Sequence, residues 1–107
     1  MNNLVVDLTH GGVKIAISLA KKGKNVIAYD LYNTLKPIDG KMLAIYNIEL
    51  IKLEDLANFR GDMNVIYPIH MPLTFDEIKS YNPNLNYTFQ NHHEAVEIFL
   101  AIGERIF

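Results

Sequence analysis

The chain contains no cysteine. Disulfides, cysteine-ligated zinc and thiol catalysis are therefore excluded, and the cytosol is the natural compartment. Arginine is nearly as scarce. Only Arg60 and Arg105 stand among ten basic residues, set against twelve acidic ones, for a net charge of −2. That balance argues against a nucleic-acid partner. A run of about 20 apolar residues, the length a spanning helix needs, is missing too, so no membrane association is expected. The opening Met1-Asn2-Asn3 has no positive region, and the apolar run behind it is broken by Asp7, Thr9 and His10. That is not a signal peptide. No internal repeat, linker or low-complexity segment appears.

What is present is apolar. Half of the 107 residues are hydrophobic and 21% are charged, a composition that excludes disorder and fits one domain. A chain of this size buries roughly 60–65% of its unfolded surface. Residues 4–8 form a short apolar run expected as a buried strand. From Val13 to Lys22 the period changes, with Val13, Ile17 and Ala20 at helical spacing and Gly23 as the C-cap. Residues 25–30 read as a second strand. Strand, glycine turn, helix and strand within about 30 residues make a βαβ unit with parallel strands. Pro37 and Asp39-Gly40 mark residues 31–41 as irregular. Residues 42–51 read as β-structure, long for one strand and divisible at Asn47. Residues 53–59 are a short helix candidate and 63–67 another buried strand, stopped by Pro68. Thr74 reads as the N-cap of a helix over 75–81 with Glu77 at the capping-box position. Residues 86–89 are a last strand, and Asn91 caps a helix over 92–103. The alternation predicts an α/β three-layer sandwich around a mostly parallel sheet of about five strands.

Ligands of such sheets bind beyond the carboxyl ends of the strands. Four segments follow those ends, and all four histidines, His10, His70, His92 and His93, lie in three of them. Thr9-His10-Gly11-Gly12 opens the first helix, where backbone N–H groups and the helix dipole favour a phosphate or carboxylate. Its two glycines either admit a ligand to the backbone or simply make a tight turn. Asp30 lies 18 residues after Gly12, the position of a ribose-binding acid in a dinucleotide fold; it reads equally as a cap for the segment that follows. His92 and His93 point about 100° apart on a helix and suit one tetrahedral metal poorly. Contact with an anionic or macrocyclic ligand is the better use of these histidines, and no metal site is expected. Tyr46, Tyr67 and Phe89 read as packing residues. No local motif spells a nucleophilic triad.

Two segments together carry a resemblance. Val5-Val6-Asp7-Leu8-Thr9-His10-Gly11-Gly12, followed by Asp30-Leu31-Tyr32-Asn33-Thr34-Leu35, resembles the N-terminal domain of Mur-type ligases. Asn91-His92-His93-Glu94-Ala95-Val96 is similar to the segment before the ATP-binding domain in an archaeal branch that includes the ligases completing a nickel tetrapyrrole. The resemblance implies a Rossmann-like substrate-binding domain over residues 1–107, and a parent enzyme that activates a carboxylate as an acyl phosphate with ATP and Mg²⁺. In the tetrapyrrole branch that carboxylate is a propionate side chain. Thr9, His10, Gly11, Gly12, Asp30 and Tyr32 are the positions that carry over; His70 and His92 are added by the rim argument. The chain departs from the family in one respect. No G-x-x-x-x-G-K-[ST] occurs, so the phosphate loop for ATP is absent and this chain alone is expected to be inactive, without catalytic residues. Its abrupt end at Ile106-Phe107 fits a domain excised from a longer ligase, whose other domains are then its partners. Two alternatives stay open: a domain for a UDP-sugar or pseudomurein precursor, and a stand-alone nucleotide-binding or interaction module.

Overall fold

The computed structural model describes residues 1–9 and 11–94. The first strand, β1 (Asn2–Val6), is followed by helix α1 (Gly12–Lys21) and strand β2 (Asn25–Tyr29). Helix α2 (Pro37–Ile45) leads to a two-residue strand β3 (Glu49–Leu50), and a 3-10 helix (Leu53–Asn58) to strand β4 (Asp62–Tyr67). Helix α3 (Phe75–Ser80) and strand β5 (Asn86–Asn91) complete the order. The helix expected over 92–103 lies outside the described residues beyond its first turn.

The five strands form one sheet in the order β3-β2-β1-β4-β5, and every pairing is parallel. β1 is central. Its Leu4, Val5 and Val6 are fully buried because both faces of the sheet are covered. On one face Val5, Val26, Ala28 and Ile66 pack under Ile15, Ala16 and Leu19 of α1 and Leu43 of α2. On the other, Leu4, Val6, Ile27, Met63 and Val65 pack with Leu53 and Leu56 of the 3-10 helix, Ile78 of α3 and Leu85. This is the three-layer α/β sandwich that the alternation predicts. The polar residues inside the sheet are satisfied: Asn3 donates to the Asn25 carbonyl at 3.1 Å, and Asn64 bridges Asn3 at 3.3 Å and Gln90 at 3.4 Å.

Helix ends follow local chemistry. α1 closes with a left-handed Gly23 at φ +79, whose N–H donates to the Ala20 carbonyl while that of Lys24 reaches Leu19. These two hydrogen bonds satisfy carbonyls the helix leaves open. At α3, Thr74 Oγ1 accepts from the Glu77 N–H at 3.1 Å, and the Glu77 carboxylate returns to the Thr74 N–H, as the spacing predicts.

One expectation is corrected. Residues 42–45 are not β-structure: they belong to α2, and only Glu49–Leu50 of the 42–51 run is strand. Pro37 and Asp39-Gly40 do not make a loop either. Pro37 opens the helix, where its missing N–H costs nothing, and Asp39 sits in the positive first turn. Asn47, left-handed at φ +58, then ends the turn after the helix.

Candidate functional site at the carboxyl rim

With all strands parallel, the loops after their carboxyl ends lie along one edge of the sheet. The chain moves outward from β1 to β2 and β3, then returns to the other side of β1 as β4. The loop after β1 leads to the helix on one face; the loop after β4 leads to the helix on the other. The place where those paths diverge is the topological switch point, and α/β sheets bind ligands there.

The loop after β1 is held from within. Asp7 leaves the strand at φ +71, a left-handed conformation that Asp tolerates better than most residues. Its N–H donates to the Tyr29 carbonyl at 3.0 Å. The side chain is only 1% exposed, and its Oδ1 accepts from the Thr9 N–H at 2.9 Å and from the Thr9 hydroxyl. The Gly12 N–H donates to the Thr9 carbonyl at 3.1 Å, and Gly11, left-handed at φ +95, caps α1. A Cβ built on Gly12 would lie 2.0 Å from the Asp7 carbonyl oxygen. The close approach that this glycine allows is thus made by the chain's own backbone. The Thr9 and Gly12 amides, two of the donors expected for an anion, are spent inside the loop. Asp7 was not among the expected site residues, although an acid directly after an apolar strand run was the signal for it.

His92 joins this loop from the far side of β4. Its Nε2 lies 3.0 Å from the Val6 carbonyl oxygen at the end of β1. A carbonyl only accepts, so Nε2 carries the proton. Its Cε1 is 3.7 Å from the Cβ position of Gly12. Asn91 orients the segment: its Oδ1 accepts from the Glu94 N–H at 2.7 Å and its Nδ2 donates to the Glu94 carboxylate at 2.8 Å. Thr9, Gly11, Gly12 and His92 are therefore gathered at the β1–β4 switch point.

The other expected residues stand apart along the rim. Asp30, after β2, accepts from the Thr34 N–H at 3.2 Å with one carboxylate oxygen and from the Leu35 N–H at 3.0 Å with the other. Both oxygens hold the loop, which favours the capping role over a ribose contact. Tyr32, at the tip of that loop, is 46% exposed. His70 is exposed in the turn after β4, which the Met71 N–H closes onto the Pro68 carbonyl at 3.1 Å. His10 lies outside the described residues. Tyr67 and Phe89 pack with Phe75, at ring-centroid distances of 4.9 and 4.0 Å, as the sequence suggested. A cavity of about 400 Å³ lined by Lys79, Pro83, Leu85, Asn86 and Tyr87 opens at the opposite, amino-terminal end of β5. Among the described residues no group of three His, Asp or Glu converges as a metal site, and no helix is long and apolar enough to cross a membrane.

Comparison with known proteins adds one relative. No family model matches the chain, and no solved structure matches it. It is similar to the coenzyme F(430) synthetase of Methanosarcina acetivorans, with 33% identity over 105 residues that cover 95% of this chain and 21% of that protein. The chain thus spans about a fifth of the length of this curated relative.

Proposed function

We propose that the chain is the substrate-binding domain of a ligase of the Mur type, and that its ligand is a nickel tetrapyrrole bearing carboxylate side chains. The observation that carries this reading is the similarity to a coenzyme F(430) synthetase along 95% of the chain. The all-parallel sheet supports it by turning the loops after β1, β2, β4 and β5 to one rim, along which Tyr32 and His70 are exposed. A planar macrocycle spans such a rim, and neutral or protonated histidine donates hydrogen bonds to its carboxylates. In this reading ATP and Mg²⁺ serve the remaining ligase domains, which are the chain's partners in the cytoplasm. The sequence offers those two groups no phosphate loop, so this chain's task is to hold and orient the carboxylate that is activated elsewhere.

Titration with coenzyme F430, followed by heat and by the absorbance of the macrocycle, tests the reading. Saturable binding is expected, weakened at least tenfold in the Tyr32→Ala/His70→Ala double variant, whose exposed positions leave the fold intact. Binding of a UDP-sugar in place of the tetrapyrrole, or equal affinity in the double variant, overturns it.

A further inference from the structure

The strand β5 closes one side of the sheet, and among the described residues only β4 pairs with it. Its outer edge is regular. The Asn86 N–H donates to the Gly61 carbonyl at 2.9 Å, which sets the alternation along the strand. Asn86, Thr88 and Gln90 turn their backbone groups toward β4, so Tyr87, Phe89 and Asn91 turn theirs outward. Edge strands are normally blunted by shortness, charge, proline or a bulge. β3, the other edge, follows that rule with two residues and a charged Glu49. β5 has six residues, Asn86-Tyr87-Thr88-Phe89-Gln90-Asn91, with none of these devices.

We infer that the outer edge of β5 is an interaction surface for a second copy of this chain, paired antiparallel about a two-fold axis at Phe89. Charge is what selects a copy as the occupant. Two-fold pairing sets a strand against itself, so any charge on it meets its like across the axis; β5 carries none, whereas β3 would oppose Glu49 to Glu49. Register follows from the alternation. Centring on Phe89 sets Phe89 against Phe89 and Tyr87 against Asn91, so every outward N–H and C=O finds a partner. The same register joins the Tyr67, Phe75, Phe89 and Tyr87 ring clusters of the two copies. Lys79 lies 5.6 Å over the Phe89 ring on the exposed surface of α3, where water and salt screen it from its copy, and the Glu94 carboxylate, bonded to Asn91 at 2.8 Å, lies across from Tyr87 rather than from its own copy. The inference does not depend on the ligase reading.

Sedimentation velocity over a range of concentrations tests it, with Thr88→Lys and Thr88→Glu as variants. Thr88 is exposed, and in this register the two copies are diagonal neighbours about 7–8 Å apart. The wild type is expected as a dimer that dissociates on dilution. Each variant alone, shown folded by circular dichroism, is expected to weaken the dimer at least tenfold, and an equimolar mixture of the two to restore it. A wild type that stays monomeric at millimolar concentration overturns the proposal, because the edge is then bare or covered by residues 95–107. So does a dimer indifferent to both substitutions, which would place the contact elsewhere, for instance on the exposed Ile38, Met42 and Ile45 of α2.

Discussion

A methyl group on Gly12 would sit 2.0 Å from the Asp7 carbonyl oxygen, and backbone on both sides leaves little room to move. Gly12→Ala is therefore expected to cost about 3 kcal/mol or more, by overpacking. Gly11 has nothing within 4 Å of its Cβ position but stands at φ +95, so Gly11→Ala is expected to cost only the left-handed penalty of about 1–2 kcal/mol. Denaturant unfolding of the two variants should give that order; the reverse order would remove Gly12 from contact with Asp7. Tyr87 supplies a second test at this scale. Burial raises its phenol above the ordinary 10.0. The unfolded chain then loses its proton first, so this contribution to stability is whole below pH 10 and falls as pH rises beyond it. Tyr87→Phe should flatten the alkaline loss of stability. An unchanged pH profile would assign that loss to other groups. The pair Gly11-Gly12 was legible in the sequence as a special backbone, but two glycines in a row look alike on paper. Only the fold separates the one chosen for its φ from the one chosen for its missing Cβ.

At the scale of elements, the buried Asn82 ties three segments together. Its Nδ2 donates to the Leu56 carbonyl at 2.8 Å and to the Phe59 carbonyl at 3.1 Å, while its Oδ1 accepts from the Asn84 N–H at 3.1 Å. Asn82→Ala strips partners from two carbonyls at the end of the 3-10 helix and is expected to cost about 2 kcal/mol or more. Asn82→Asp, which sets an acceptor against acceptors, should cost more still. Thermal unfolding of both variants checks this, and a neutral Asn82→Ala would show that water serves those carbonyls as well. Elements with strong local signals were readable: the Thr74–Glu77 capping box, the Gly23 stop, and the apolar runs of β1, β2 and β4. α2 was not. Its apolar residues fall on all sides, with Leu43 buried while Ile38, Met42 and Ile45 stay exposed. Such a pattern has no clear 3.6-residue period, and Pro37 with Gly40 reads as a break until the helix is seen to start at that proline.

For the whole molecule, protection should follow position in the sheet. β1 and β4 are buried on both faces and bonded on both sides, whereas β3 is a short exposed edge. Native-state hydrogen exchange is expected to be slowest at Leu4, Val6 and Val65 and fast at Leu50, with β2 between them. Equal protection at Leu50 would mean that the β3 edge is covered in solution. The same arrangement carries the candidate site. Because no strand runs against the others, four loops distant in sequence share one rim, and the return of the chain across β1 sets the switch point where His92 meets the first loop.

Residue order alone was enough for the fold class, the βαβ beginning, the cap of α3 and the placing of His70 and His92 after strand ends. Those rest on local propensity and on periods that survive without tertiary contacts. The tertiary structure decided the rest. The helical state of residues 37–45 depends on Leu43 finding the sheet, and the reach of His92 to Val6 joins residues 86 positions apart. The inward turn of the Thr9 and Gly12 amides depends on a buried Asp7 whose conformation no neighbouring residue dictates. Each is a contact between segments far apart in the chain or a geometry set by packing, and neither kind leaves a periodic trace in the order of the amino acids.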